Sequence, residues 1–150
     1  MKAVTLGSII TAFLLVFAPG ESSAQDKFDG LWTGTITQEE GGESIPFRFE
    51  LYLKQDGDRV TGRSYVFADG IYAEMELEGD IHSDFYLHFQ ELKIVDSEVH
   101  EGMEWCIKSG HLVLKRKGKT LRLEGAWRGK TSFSSCTPGK VLLEKEEDRA

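Results

Sequence analysis

Ile45-Pro46-Phe47-Arg48-Phe49-Glu50-Leu51-Tyr52-Leu53-Lys54-Gln55 decides the fold class. Phe47, Phe49, Leu51 and Leu53 alternate with Arg48, Glu50, Tyr52 and Lys54. Successive side chains on a strand point to opposite faces, so this is a strand with one dry face and one wet face. The four apolar residues are expected to point inward together, because a slip of one residue would expose the whole set.

The same alternation recurs on both sides of this stretch. Asp56-Gly57 marks a turn, and Val60 to Ala68 follows as a second strand. Asp69-Gly70 leads into Ile71, Ala73, Met75 and Leu77, interleaved with Tyr72, Glu74, Glu76 and Glu78. Gly79-Asp80 leads into Phe85, Leu87 and Phe89, interleaved with Tyr86, His88 and Gln90. Upstream, Phe28 to Gln38 reads as the opening strand. Beyond a polar loop around Asp96 to Gly102 come Met103 to Lys108, His111 to Lys117 and Thr120 to Arg128, parted by Ser109-Gly110 and Lys117-Gly118, and Gly139 to Lys145 reads as a last strand. About eight or nine short strands, spaced by roughly 8 to 12 residues, are the pattern of an antiparallel sandwich or barrel. Tight successive connections favour a meander, and closure relieves a meander of its open edges. The expected fold is therefore all-β, an antiparallel up-and-down β-barrel of about eight strands, with room inside for side chains or one small ligand. A helix has only two places to hide, Gln90 to Val99 and the tail from Leu143.

Composition narrows the partners. The chain has 150 residues, 18 basic against 25 acidic, for a formal net charge of -7. No basic run is longer than Lys115-Arg116-Lys117, which argues against neutralising phosphates along a nucleic acid and against docking on anionic lipid. The chain has no Asn, so it carries no N-glycosylation acceptor and leaves its turns to Gly and Asp.

The first residues read as a leader. Lys2 precedes an apolar core of Ile9, Ile10, Ala12, Phe13, Leu14, Leu15, Val16 and Phe17, and Ser22-Ser23-Ala24 presents small residues before a cut after Ala24. The apolar segment is short of the roughly 20 residues that span a bilayer. Residues 1–24 are expected to be a signal peptide and residues 25–150 a single barrel domain, secreted or periplasmic, with no membrane span after cleavage. Export gives the two cysteines their meaning: Cys106 and Cys136 are expected to form a disulfide, since a metal or redox pair would want a C-x-x-C spacing or a neighbouring His.

The opening strand, Phe28-Asp29-Gly30-Leu31-Trp32-Thr33-Gly34-Thr35-Ile36, resembles that of the calycin barrels, the lipocalins and avidins, through its Gly30-x-Trp32. The full F-x-G-x-W-x-G-x-I string is most similar to exported bacterial barrel proteins of uncharacterised function. A related string recurs at Leu123-Glu124-Gly125-Ala126-Trp127-Arg128-Gly129, whereas the lipocalin T-D-Y and avidin W-x-L-L motifs are absent. The resemblance implies a small barrel with a habit of binding, in which the early Trp32 plugs one end and a late basic residue, here Arg128, packs across it. It names no ligand.

Catalytic patterns are poorly represented, and the chain is read as a non-enzyme with no cofactor and no metal. There is no G-x-S-x-G elbow, and the hydroxyl-rich Thr131-Ser132-Phe133-Ser134-Ser135 has no adjacent His. Asp80, His82 and Asp84 share a strand face at period two, but a solvated turn explains them. Glu74, Glu76 and Glu78 form a regular wet row rather than two carboxylates facing across a cleft. The expected function is the binding of a small, partly apolar ligand in the barrel mouth, with Trp32, Tyr65, Trp105 and Trp127 as walls and Arg63 or Arg128 as a polar anchor. One alternative is a protein-binding module, such as a periplasmic inhibitor, working through loops Asp96 to Gly102 or Lys130 to Pro138. Another is an extracellular glycan binder that stacks sugars on Tyr52, Tyr72 and Tyr86.

Overall fold

A computed structural model describes residues 26–147; the leader expected at 1–24 lies outside them. Eight antiparallel strands follow one another: β1 (Gly30–Glu40), β2 (Glu43–Asp56), β3 (Arg59–Ala68), β4 (Ile71–His82), β5 (Tyr86–Ser97), β6 (Ile107–Lys117), β7 (Thr120–Lys130) and β8 (Gly139–Lys145). Each pairs with the next, and β1 pairs with β8 from Trp32↔Lys145 to Ile36↔Val141, so the sheet closes into an up-and-down barrel. Among the described residues no helix is long and apolar enough to cross a membrane.

The deciding stretch lies where its alternation puts it. Phe49, Leu51 and Leu53 of β2 are buried in the core and Phe47 packs against it, while Tyr52 on the other face is exposed. The turns follow from local chemistry too. At Asp69-Gly70 both residues have positive φ, 50° and 80°, the backbone of a two-residue hairpin turn that matches strand twist.

Three local expectations are corrected. Ser109-Gly110 does not divide two strands: it lies inside β6, and a Cβ on Gly110 would stand 2.5 Å from the Phe89 ring, so this glycine admits an aromatic neighbour instead of making a turn. Met103 to Cys106 is loop, which leaves eight strands. As expected of an all-β chain, neither place where a helix could hide forms one among the described residues: Gln90 to Ser97 continues β5, and Leu143 to Lys145 finish β8. Phe85 is exposed in the β4–β5 turn rather than in the core, because β5 begins one residue later.

The two ends of the barrel differ. At one end Trp32 is 0% exposed, its indole N–H donates to the Phe28 carbonyl at 2.9 Å, and Phe28 is itself buried. The other end carries the β1–β2 and β3–β4 turns and the two long loops. Cys106 and Cys136 are bonded there and tie the β5–β6 loop to the β7–β8 loop, with Cα atoms 6.4 Å apart. The sequence separation is 30 residues, and closing a loop of that size is worth about 3 to 4 kcal/mol by chain entropy. Reduction is therefore expected to lower the unfolding free energy in urea by about that amount. Far-ultraviolet circular dichroism should change little, since the ladder hydrogen bonds do not depend on the bridge.

Candidate functional site

β5 and β6 do not run together along their whole length. They pair from Tyr86↔Val113 to Gln90↔Ser109 and then part, while β5 stays on β4 through two register shifts at Glu74/Met75 and Glu76/Leu77. At the parting point the strands offer Lys108 N–H no ladder partner. The Glu91 carboxylate supplies one: Oε2 accepts that N–H at 2.7 Å and the Lys108 ammonium at 3.0 Å, and Oε1 accepts the Ser64 hydroxyl at 2.5 Å. The pair is deep, with side-chain exposures of 0% for Glu91 and 4% for Lys108. The ammonium also donates to the Cys106 carbonyl at 3.2 Å, lies 3.7 Å from Met75 Sδ, and sits 5.8 Å from the Phe49 ring centroid. Burial of this kind persists only when both charges are paired and hydrogen-bonded.

Beside this pair, at the disulfide end, is a pocket of 180 Å³. Its walls are apolar: Ile36, Phe47, Val66, Ala68, Trp105 and Trp127. Both indoles are fixed by hydrogen bonds to backbone, Trp105 to the Glu98 carbonyl at 2.9 Å and Trp127 to that of Thr37 at 2.7 Å, so their faces are rigid surfaces. Met103, Gln38 and Cys106 complete the lining, with Glu104 and Lys108 the two charged residues in it. Glu104 is exposed and accepts from the Ser132 N–H and hydroxyl. A second, polar cleft flanks the place where β5 and β6 part, and Glu91, Lys108, Ser109 and Arg128 border it.

The residues expected to gather in one mouth are divided by the fold. Trp105 and Trp127 line the pocket. Trp32 seals the opposite end, and the cation over its ring is Lys145, 5.6 Å from the centroid. Arg128 is not that cation. It follows the inward-facing Trp127 on β7, is exposed, and pairs in register with Ser109, at the far end from Trp32. Arg63 and Tyr65 alternate with the buried Ser64 and Val66 and so stand on the barrel exterior. There Arg63 reaches Glu74 at 3.7 Å and Glu76 at 3.4 Å, and the Tyr65 hydroxyl donates to Glu74 at 3.2 Å. Burial and the Glu74 carboxylate raise the Tyr65 phenol above its ordinary pKa.

Reading of the sequence missed Glu91, Lys108 and Ser64. A signal for Glu91 was present: Leu87, Phe89 and Glu91 share one phase of β5, so a carboxylate occupies a position whose period demands an inward side chain. Lys108 stands likewise in phase with Leu112 on β6.

On the outside, His88 and His111 stack across β5 and β6 with centroids 4.4 Å apart and planes 9° from parallel. Partial burial, then His88, Arg128 and His82, hold the His111 imidazole below its ordinary value of 6.5. The folded state thus binds that proton less readily than the unfolded chain. The resulting stability is complete above pH 6.5 and is lost as pH falls through the depressed folded value. Urea midpoints should fall on acidification below 6.5, and the His111 carbon-bound proton should titrate by NMR at lower pH than a free histidine. A titration at or above 6.5 would contradict this. Among the described residues no group of three or more His, Cys, Asp or Glu is arranged to hold a metal ion.

The closed eight-strand meander is the architecture that the opening-strand resemblance implies. Comparison with protein-family models, with curated proteins and with solved structures returns no match to this chain.

Proposed function

We propose that this protein is a non-enzymatic exported barrel of calycin type that binds a small, mainly apolar ligand at its disulfide end. One observation carries the reading: the barrel is asymmetric, sealed by Trp32 and Phe28 at one end and hollowed at the other into a 180 Å³ pocket with two hydrogen-bonded indoles in its wall. A concave apolar site with a few fixed polar groups is the usual form of a ligand site. A cavity of about 150 Å³ accommodates benzene, so this one suits a single ring, a short chain, or the end of a longer molecule. Export is proposed from the leader-like residues 1–24, and the Cys106–Cys136 bond suits an oxidising compartment.

Toluene tests the reading. Tryptophan emission should change and saturate at one toluene per chain, with the response lost in Ala68→Phe, which fills the pocket, and in a Trp105→Leu, Trp127→Leu double variant. Absence of saturation in the wild-type chain would rule the reading out.

A protein partner is the second reading, and a specific feature favours it. Beyond Gln90 the β6-facing edge of β5 has no strand partner among the described residues, and Leu92, Ile94, Val95, Val99 and Met103 are exposed in and after that segment. Such an edge can accept a strand from another chain. Phe133, 79% exposed in the β7–β8 loop, adds to this apolar surface.

A further inference from the structure

The basic group that borders the pocket belongs to a pair that is already electrically complete, and this limits what the pocket can take. Lys108 and Cys106 both line it. The ammonium has two strong acceptors, the Glu91 carboxylate at 3.0 Å and the Cys106 carbonyl at 3.2 Å. Its third hydrogen is left to the Met75 thioether at 3.7 Å, a weak acceptor. Glu91 is in turn committed to three donors, the Ser64 hydroxyl and the Lys108 N–H and ammonium.

We propose that the pocket selects uncharged, mainly apolar molecules bearing one acceptor oxygen, such as a ketone, ester or alcohol on a single ring or short chain. Met75 is buried behind the pocket wall and does not line it, so that oxygen draws the third ammonium hydrogen of Lys108 from the weak sulfur contact toward the pocket. The inference rests on the reading of the pocket as a ligand site. A carboxylate ligand would set a second anion against one ammonium within an apolar wall, with the Glu104 carboxylate in the same lining. Like charges sharing a desolvated site are unfavourable. A cationic ligand meets the opposite conflict at Lys108, whose counter-ion is already in use. A hydrocarbon fits the walls but leaves the third ammonium hydrogen on sulfur.

Four probes of similar size, ethylbenzene, acetophenone, benzoate and benzylamine, separate these cases when titrated into the full chain at neutral pH by calorimetry and tryptophan emission. Acetophenone is expected to bind about ten- to hundredfold more tightly than ethylbenzene, the range that a hydrogen bond from a charged donor supplies. Benzoate and benzylamine are expected to bind more weakly than ethylbenzene. Replacing the pair together, Glu91→Leu with Lys108→Met, should bring acetophenone down to the affinity of ethylbenzene. If that variant does not fold, the wild-type ranking decides alone. Tightest binding by benzoate or benzylamine, or equal binding of acetophenone and ethylbenzene, overturns the proposed ligand class and leaves the pocket reading standing. No saturable response to any of the four overturns both.

Discussion

Glu91→Leu is expected to lower the unfolding free energy by about 3–5 kcal/mol, the usual cost of stranding one charge of a buried pair. The variant leaves the Lys108 ammonium with the Cys106 carbonyl and the Met75 sulfur, and leaves the Lys108 N–H and the Ser64 hydroxyl without the acceptor they use now. Lys108→Met alone should cost less, because Glu91 then keeps two of its three donors, the Ser64 hydroxyl and the Lys108 backbone N–H. The double variant is expected to recover much of the loss, since an apolar replacement of a whole buried pair is often neutral or stabilising. Urea denaturation of the three variants forms a double-mutant cycle. Additive losses would mean that the two side chains are not coupled in the folded protein.

Phe49→Ala is expected to cost about 3–5 kcal/mol in the same measurement, as the truncation of a fully buried aromatic ring. Phe49 is 0% exposed on the inward face of β2, and its ring also lies beneath the Lys108 ammonium at 5.8 Å. The loss therefore combines a cavity with a cation–π contact. That neighbourhood makes a further outcome specific: Phe49→Ala and Glu91→Leu should be less than additive, because the cavity admits water to the stranded ammonium and lowers the cost of leaving it unpaired. A cost near zero for Phe49→Ala would place the ring on the wrong face of the strand.

Much of the fold was legible because it depends on neighbours in sequence. Period-two alternation from Phe47 to Leu53 assigned a face to each residue of β2 without reference to any other strand. Asp56-Gly57, Asp69-Gly70 and Lys117-Gly118 each lie at a hairpin turn, since a left-handed backbone is a local demand. The errors came where a partner strand decides. Gly110 resembles a turn glycine until Phe89 is set opposite it, and Met103 to Cys106 reads as the start of a strand but precedes β6 as loop.

The candidate site was legible only in part, for the same reason. Trp105 and Trp127 were identified as wall residues by type, and the structure brings them together. Trp32, Arg63, Tyr65 and Arg128 were grouped with them by type as well, but alternation and strand direction send Trp32 to the sealed end and the other three to the exterior.

By itself the sequence determined strand content, the inward face of β2, the turns at Asp56-Gly57, Asp69-Gly70 and Lys117-Gly118, and a disulfide between the only two cysteines. Each of these is set by local stereochemistry or by having a single possible partner. Closure of β1 on β8, the assignment of the tryptophans to opposite ends, Lys145 rather than Arg128 over Trp32, and the meeting of Glu91 with Lys108 were decided by tertiary structure. Those depend on the register between strands far apart in the chain, and on a parting of β5 from β6 that leaves one N–H for a buried carboxylate to accept.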